Sequence, residues 1–410
     1  MFNAMIIPYC RDGIGIGNAR PGFIPEFPTW RHLSFFNKYA ARLSYLSSLG
    51  VPGITCAVYM PMRDLWAGGQ RAKDFEVRFD NLIHALEKLH CPVDLMDDDF
   101  LETAELSGGV LSTGTAKYNT IILLKGADIP LKSRQILDTF VKAGGKIIYD
   151  DELSRVKPCA NITNEKIAVY KRILENGVLY FLYNEGTKDE TFNVSFVEEG
   201  NLYEIDARRG ELFYPKTTNV TLTSGEERIY FITDSQFDAK ATSLYTQGEL
   251  VIKNVEMKKS SELEIGNLYF KKHECDEGFT KGKFGDWCKF YNEGFSGEVI
   301  YKAEFDFDTI PEKIEIDLGC VKYSCDITLN DIPLGMLCFT PFTCTAGGKI
   351  LKKHNTLLVR VANTPANQFV SATFLDEFPP NIIGPYHKIA KQFESESLES
   401  GILNSIKIRW

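Results

Sequence analysis

The sequence has no long hydrophobic run and no leader-like start. No apolar stretch approaches the roughly 18 residues that a membrane-spanning helix needs, so we expect no membrane span. The first residues, "MFNAMIIPYCRDGIGIG", carry neither a positive n-region nor a long apolar h-region, which excludes a secretory signal. As written, the chain is expected in the cytoplasm.

Basic residues and metal-binding spacings are also scarce. Lys and Arg total 46 against 55 Asp and Glu, and this net charge of −9 argues against a nucleic-acid partner. The ten cysteines form no CxxC pair, which favours reduced, buried thiols over a zinc or redox site. The six histidines show no HExxH or comparable spacing. We therefore predict no metal and no cofactor.

The chain divides into successive segments with different patterns of apolar and polar residues. Its length of 410 residues predicts about two or three domains. Residues 51–155 alternate strands with amphipathic helices, which predicts a doubly wound α/β domain. Residues 156–245 read as short strands of a small all-β domain. Residues 246–410 alternate with period two and predict a jelly-roll β-sandwich. Before them, "LSFFNKYAARLSYLSSL" predicts a helix that stops at Gly50.

Several short motifs invite a functional interpretation that their context weakens. "GIGIGN", residues 13–18, lacks the third glycine and the helix start of a phosphate loop. Cys56 lies inside the apolar strand "GITCAVYMP", which favours a core thiol over a nucleophile. Asp97, Asp98 and Asp99 are adjacent, so their carboxylates diverge, which favours a helix-capping turn over a cation site.

Aromatic residues and two asparagines are the candidate carbohydrate-binding groups. Trp66 follows the first α/β strand, where it either stacks on a sugar or packs on a neighbouring domain. Trp287 and Tyr291, in the segment "CDEGFTKGKFGDWCKFYNEGFSG", form either a sugar platform or a plug at one end of the sandwich. Asn363 and Asn367 follow the regular strand "NTLLVRVAN", where they either satisfy loop backbone groups or contact sugar.

Three sets of stretches, in order, resemble known glycoside hydrolases. "PTWRHLSFFNKYAARLSYLSSLG" followed by "ITCAVYMPMRDLWAGG" is similar to the segment after the catalytic barrel in α-L-rhamnosidase-like enzymes of family 106. "VDLMDDDFLE", "YNTIILLKG" and "FVKAGGKII" resemble that family's flavodoxin- or glutamine-amidotransferase-like α/β domain. "EVIYKAEFDFD", "IDLGCVKYSCDITLNDIPLGML" and "NTLLVRVANTPANQ" resemble the galactose-binding-like, sugar-binding jelly roll of family 2 glycoside hydrolases.

The resemblance implies that the catalytic carboxylates lie on a (β/α)₈ barrel ahead of these segments. Such a barrel takes roughly 250 residues, whereas about 50 precede the α/β domain here, and they match at most the end of a barrel and a linking helix. We therefore predict no catalytic residue in this chain. Glu26 lies in the remnant loop but has no partner carboxylate. An amidotransferase-like enzyme lacks support, because no exposed cysteine follows a strand.

Two functions remain open, and whether the chain is an enzyme stays undecided. It is expected to be the non-catalytic C-terminal portion of a glycoside hydrolase, or an independent carbohydrate-binding or structural protein. The expected ligand is carbohydrate, such as a rhamnose-containing glycan. A separate catalytic-barrel chain, or self-association through apolar side chains of residues 1–50, is the expected protein partner. A parent enzyme with a leader of its own could be exported.

Overall fold

The computed structural model describes residues 25–215, 217–241, 247–265, 270–292, 294–371 and 398–410. The glycine-rich loop at residues 13–18 lies outside these described residues. The chain divides into two compact units. The α/β–β unit contains residues 39–241, and the sandwich unit contains the described residues up to Lys38 and those from residue 247 onward.

Helices are a minor part of the described residues. The α-helices are α1 Leu33–Ser48, α2 Met62–Trp66, α3 Gly69–Lys88, α4 Asp98–Thr103, α5 Leu131–Lys142 and α6 Ala366–Ser371. Short 3₁₀ helices cover Pro28–His32, Leu153–Arg155, Trp287–Lys289 and Gly348–Ile350. Among the described residues, no helix combines the length and the apolar character that a membrane crossing requires.

The α/β–β unit is built from short strands. They are β1 Val51–Pro52, β2 Cys56–Tyr59, β3 Val93–Met96, β4 Glu105–Ser107, β5 Val110–Thr113, β6 Ala116–Tyr118, β7 Thr120–Leu123, β8 Lys146–Tyr149, β9 Asn161–Ile162, β10 Ile167–Leu174, β11 Gly177–Asn184, β12 Glu190–Ser195, β13 Asn201–Asp206, β14 Glu211–Tyr214, β15 Asn219–Leu222, β16 Glu227–Thr233 and β17 Lys240–Ala241.

A parallel four-stranded sheet forms the α/β part of this unit. Its strand order is β3-β2-β7-β8, so the chain starts in the interior and switches direction between β2 and β7. Every residue of β2 and β7 is buried, because helices cover both faces. Phe75 and Leu86 of α3 pack on one face, while Leu137 and Phe140 of α5 pack on the other. Strands β4, β5 and β6 form a separate small meander.

Antiparallel strands form the β part of the unit, which we call the small sandwich. One sheet has the order β1-β10-β11-β16-β13-β14-β17 and the other has the order β15-β12-β9. Their inner faces enclose a core that includes Tyr180, Phe192 and Tyr230. The second half of α1 packs on the outer face of the larger sheet through Tyr39 and Leu43. The unit therefore stacks a helix, a sheet and a second sheet.

The sandwich unit contains the remaining strands. They are β18 Glu249–Ile252, β19 Glu256–Ile265, β20 Phe270–Glu274, β21 Thr280–Lys281, β22 Gly297–Asp306, β23 Lys313–Asp317, β24 Val321–Lys322, β25 Ser324–Leu329, β26 Ile332–Leu337, β27 Thr343–Gly347, β28 His354–Ala362, β29 Gly401–Ile402 and β30 Ile406–Arg409.

Two sheets face each other in this unit and form the large sandwich. The orders are β18-β30-β23-β27 and β20-β19-β22-β28-β25-β26. Alternate residues of each strand point into a single core, as the period-two pattern predicts. Val359 and Val361 of β28 are buried there, as are Ile406 and Ile408 of the returning C-terminal strand. The protein thus combines an α/β part with β-sandwiches.

Candidate functional site

The first candidate region is the carboxyl edge of the parallel sheet, where ligands bind in many α/β proteins. After β2 the chain turns at Pro61 into the short helix α2, which ends at Trp66. The Trp66 side chain is 77% exposed, so its ring is presented to solvent. Sugar stacking and packing on a neighbouring domain both stay predictions for this residue.

A buried carboxylate holds the short helix α2, which carries Trp66. Asp64 is almost inaccessible, and its Oδ1 accepts a 2.6 Å hydrogen bond from Nε of Arg71. Its Oδ2 accepts a 2.9 Å hydrogen bond from the backbone N–H of Asp128, which follows the neighbouring strand β7. Arg63 lies 3.6 Å from the exposed carboxylate of Asp128. This arrangement fixes the backbone on both sides of the switch point and leaves an exposed ion pair between α2 and the loop after β7.

The three adjacent aspartates behave as capping groups. Asp97 precedes α4 and its side chain accepts a 3.0 Å hydrogen bond from the N–H of Phe100, which is the geometry of an N-cap. Asp98 turns inward and accepts hydrogen bonds from Tyr59 (2.8 Å) and Ser133 (2.5 Å). Burial, followed by the Asp98 carboxylate, raises the pKa of Tyr59. Among the described residues, no cluster of histidine, cysteine or acidic side chains could hold a metal ion.

The cysteine of the first α/β strand is a core residue. Cys56 is buried, and a hydrogen bond from the neighbouring thiol of Cys91 lowers the pKa of Cys56 against the effect of burial. The described cysteines are all free thiols. Because β2 is covered by helices on both faces, Cys56 is not presented at the carboxyl edge as a nucleophile would be.

The second candidate region is one end of the large sandwich, where the structure brings four predicted residues together. Trp287 begins a 3₁₀ turn, and the N–H of Tyr291 donates to its carbonyl over 2.8 Å. The Trp287 N–H donates to the carbonyl of Ser400 over 2.9 Å. Asn363 and Asn367 both lie within hydrogen-bond distance of the Ser400 hydroxyl. Four of the five candidate residues therefore lie close together, whereas Trp66 belongs to the other unit.

The cluster is built to close the sandwich. The Trp287 ring is completely buried, and its Nε1–H donates a 2.6 Å hydrogen bond to the hydroxyl of Tyr301. It therefore has no accessible face for a sugar, which corrects the platform interpretation in favour of the plug. Tyr291 is half-buried and its ring packs on Phe290 and Phe295, with centroids 5.3 and 5.1 Å away. Burial, followed by Glu277, raises the pKa of Tyr291 to about 12.

The two asparagines join separate segments of backbone. The Asn363 Oδ1 accepts from the N–H of Gly297 over 2.8 Å, and its Nδ2 donates to the carbonyl of Phe295 over 2.8 Å. The Asn367 Nδ2 donates to the carbonyl of Leu398 over 2.9 Å. Both side chains are fully buried, so they satisfy backbone groups, as one of the two alternatives predicts, and are out of reach of a ligand.

A polar cluster on the outer face of the large sandwich escaped sequence reasoning. Asp326 of β25 lies 2.9 Å from Nε of Arg31 and 3.3 Å from Nε2 of His32. The other ring nitrogen of His32 lies 2.8 Å from the hydroxyl of Ser324. Glu298 of β22 is fully buried and accepts a 2.9 Å hydrogen bond from Ser261, with Nη1 of Arg31 at 3.4 Å.

In this cluster the His32 ring lies between the side chains of Ser324 and Asp326, as in a hydrolytic triad. The cluster does not have the accessibility of such a triad. Ser324 is 4% exposed and His32 is 2% exposed, so no substrate carbonyl can reach the hydroxyl. The groups instead hold the 3₁₀ turn Pro28–His32 on the sheet. Nothing in the sequence marks this cluster, because His32 and Asp326 are almost 300 positions apart.

Comparisons with known proteins give a fold and no family. No family model and no curated protein matches the sequence. A rhamnosidase from Novosphingobium sp. PP1Y has a similar structure, with a TM-score of 0.66 and 16% identity, covering 98% of this chain and 44% of that chain. A β-galactosidase from Bacillus circulans sp. alkalophilus is similar over 50% of this chain and 45% of its own, with a TM-score of 0.35 and 11% identity.

The chain spans less than half the length of either solved structure. At this identity, the likeness to the rhamnosidase concerns architecture alone, and the partial likeness to the β-galactosidase adds nothing to it. Over nearly all of its length, the chain has a glycoside hydrolase-like fold.

Proposed function

We propose that this chain is the C-terminal, non-catalytic portion of an α-L-rhamnosidase-like glycoside hydrolase of family 106. Its role is to bind carbohydrate or to dock onto a catalytic barrel. The observation that carries the proposal is the extent of the structural likeness, which covers 98% of this chain but 44% of the rhamnosidase. The ordered sequence resemblance to α-L-rhamnosidase-like enzymes of family 106 also supports it.

We also propose an identity for each domain of the chain. Residues 51–155 are a glutamine-amidotransferase-like domain, for which the parallel order β3-β2-β7-β8 is the support. Residues 156–245 are a small all-β domain. Residues 246–410 are a galactose-binding-like jelly roll, supported by two facing antiparallel sheets with a common core. Residues 1–50 are the end of a barrel and a linking helix.

A non-catalytic role agrees with the chemistry of the described side chains. Glycoside hydrolysis uses two carboxyl groups that flank the scissile bond, about 5 to 10 Å apart. At the carboxyl edge of the parallel sheet, Asp64 and Asp98 are engaged by neighbouring donors and are not available to a substrate. In the described residues the parallel sheet has four strands, whereas a (β/α)₈ barrel has eight.

Trp66 is the residue to which we assign carbohydrate binding. Its ring is exposed, and sugar rings have apolar faces that pack on aromatic side chains. Arg63 of α2 and Asp128 of the loop after β7 are also exposed and offer a donor and an acceptor for hydroxyl groups. We therefore expect a weak site for a short, rhamnose-containing oligosaccharide at this edge.

Isothermal titration of the full chain with L-rhamnose and with a rhamnose-containing oligosaccharide tests the sugar-binding role. We expect millimolar binding that Trp66→Ala abolishes. Trp30→Ala is the matched control, because Trp30 is 40% exposed and belongs to the other unit, so this substitution should leave binding unchanged. No heat of binding up to millimolar sugar, or equal loss in both variants, would overturn the assignment to Trp66.

An activity assay on aryl α-L-rhamnosides tests the non-catalytic role. We expect no turnover by the purified chain alone. Hydrolysis at an enzyme-like rate, with contaminating activity excluded, would overturn this part of the proposal.

Docking onto a barrel has a separate test. Trp30 is exposed, and Phe35 and Phe36 are half-buried, so this segment offers apolar surface to a partner. We expect a separately produced family 106 barrel to bind the full chain, and Trp30→Asp to weaken that binding. Sugar binding without any barrel binding would instead favour the alternative, an independent carbohydrate-binding protein.

A further inference from the structure

The α/β–β unit also contains a groove away from the carboxyl edge of the parallel sheet. It has a volume of about 900 Å³ and lies between α3, the start of β3 and the strand β10. Its apolar lining includes Phe79, Ile83, Val93, Leu95 and Val169. Leu95 is 50% exposed, although it belongs to a strand of the parallel sheet. The groove is therefore an open apolar channel beside two sheets.

One wall of the groove is the edge of a strand. The consecutive residues 166–170, at the start of β10, all line it. Side chains of neighbouring strand residues point to opposite faces, so a surface that contacts all of them must face the backbone edge. The groove thus runs along main-chain N–H and C=O groups as well as along side chains.

This edge of β10 is only partly covered. On one side, β11 pairs with all eight residues of β10, from Ile167 to Leu174. On the other side, β1 pairs only with Arg172 and Ile173, and the N–H of Gly53 donates to the carbonyl of Lys171. Among the described residues, no strand continues this position beside residues 167–170.

The direction of the free backbone groups follows from the ladder. In an antiparallel pair, the N–H and C=O of one residue point to the same side, and successive residues alternate between sides. Because the carbonyl of Lys171 points toward β1, the N–H and C=O of Val169 point to the same edge. The N–H of Ile167 is satisfied by the carbonyl of Asn164, which leaves Val169 at the centre of the open edge.

Charge favours a basic occupant. The lining carries four carboxylates and two ammonium groups, from Asp80, Glu87, Glu165, Glu185, Lys88 and Lys166. One of these ammonium groups, on Lys88, lies 3.9 Å from the Glu165 carboxylate, and the other, on Lys166, pairs with Glu190 outside the lining. The remaining field in the groove is negative, which attracts Lys or Arg at the ends of a bound segment.

We propose that this groove binds an extended segment of a separate polypeptide, which pairs with β10 at Val169 and continues the position of β1. Main-chain hydrogen bonds supply affinity in this mode, and alternate side chains supply specificity. The occupant has apolar residues at every second position and basic residues at its ends. This proposal goes beyond the carbohydrate role and does not depend on it.

Fluorescence anisotropy with the full chain tests the proposal. The probe is a labelled nine-residue peptide in which valine alternates with threonine between terminal lysines. Val169→Pro removes the edge N–H while leaving the β11 ladder intact, since proline is tolerated on an edge strand. We expect this variant to bind about tenfold more weakly, and Val169→Ala, which keeps the N–H, to bind within about threefold of the original chain.

Two further measurements keep the result decisive. If Val169→Pro does not fold, as judged by circular dichroism, a peptide N-methylated on its pairing side should lose binding to the unaltered chain. A probe with terminal glutamates should bind more weakly than the lysine probe. Absence of binding at millimolar peptide, or equal binding by both Val169 variants, would overturn the proposal. Self-association that Val169→Pro abolishes would identify a second copy as the occupant and equally overturn it.

Discussion

The indole of Trp287 and the hydroxyl of Tyr301 form a 2.6 Å hydrogen bond inside the core of the large sandwich. The same hydroxyl accepts a 3.2 Å hydrogen bond from the N–H of Ile402. The pair therefore links the 3₁₀ turn at Trp287 to β22 and to the short strand β29. Burial raises the pKa of Tyr301, so the hydroxyl keeps its proton.

Trp287→Phe should destabilise the large sandwich by about 2 kcal/mol, because it removes buried ring atoms and one of the two donors to the Tyr301 hydroxyl. Urea unfolding followed by circular dichroism measures this change. Trp30→Phe is the control, since Trp30 is 40% exposed, and its effect should stay within about 0.5 kcal/mol. Equal effects of the two substitutions would show that the Trp287 contacts contribute nothing.

Gly401→Ala should also weaken this core. Gly401 has φ of +104°, and a Cβ there would lie 2.4 Å from Nε1 of Trp287 and 2.8 Å from the Tyr301 hydroxyl. Backbone strain and overpacking together should cost about 2 to 4 kcal/mol, measured by urea unfolding. Gly278→Ala is the matched control, because a Cβ at Gly278 meets open space. A neutral Gly401→Ala would contradict the packing described here.

Asp326→Asn should reduce stability at neutral pH and matter less in acid. Burial opposes ionisation of Asp326, but the hydrogen bond and charge of His32 and the charges of Arg31 and Arg360 hold its pKa below 3.8. A lowered folded-state pKa stabilises the native state above the unfolded pKa, and that contribution disappears as pH falls through the folded value.

Unfolding free energies at neutral pH and in a series below about pH 4 test this expectation, which is about 1 to 2 kcal/mol at neutral pH. The difference between Asp326→Asn and the unaltered chain should shrink as pH falls. Asp308→Asn, at an exposed position, serves as the control. A difference that stays constant over the whole series would refute the ionic origin of the effect.

Arg172→Lys should loosen the end of α1. Arg172 is 9% exposed, and its guanidinium donates to the carbonyls of Leu49 (2.7 Å) and Gly50 (2.8 Å) and to the hydroxyl of Tyr170 (2.8 Å). Lysine cannot reproduce this planar fork, so we expect a loss of about 2 kcal/mol. Hydrogen exchange should show faster exchange in α1, while Arg134→Lys, at an exposed site, should leave it unchanged.

The sequence predicts helices, strands and turns well where the residues of one short segment determine the local structure. The helix predicted to stop at Gly50 is Leu33–Ser48, and Gly50 has φ of +58°. The apolar strand around Cys56 is buried on both faces. Asn and Asp favour turns, and Asn330 and Asp331 join β25 to β26 with positive φ at both residues.

Long-range pairing is where sequence reasoning stops. The aromatic segment around Trp287 leaves platform and plug open, because only contact with Tyr301 and Gly401 decides between them. The partnership of His32 with Ser324 and Asp326 depends on the sheet as a whole and has no local pattern. The chain's local periodicity also misses the small meander β4-β5-β6, whose strands are three or four residues long.

The two residues of β1 matter for any shortened version of the α/β–β unit. Val51 and Pro52 pair with Ile173 and Arg172 of the small sandwich, yet the chain continues within a few residues into β2 of the parallel sheet. The boundary between the parallel sheet and the small sandwich is therefore crossed by the pairing of β1 with β10. A recombinant fragment that begins at Gly53 would keep every strand of the parallel sheet but would strip the neighbouring layer of its outermost row of main-chain bonds.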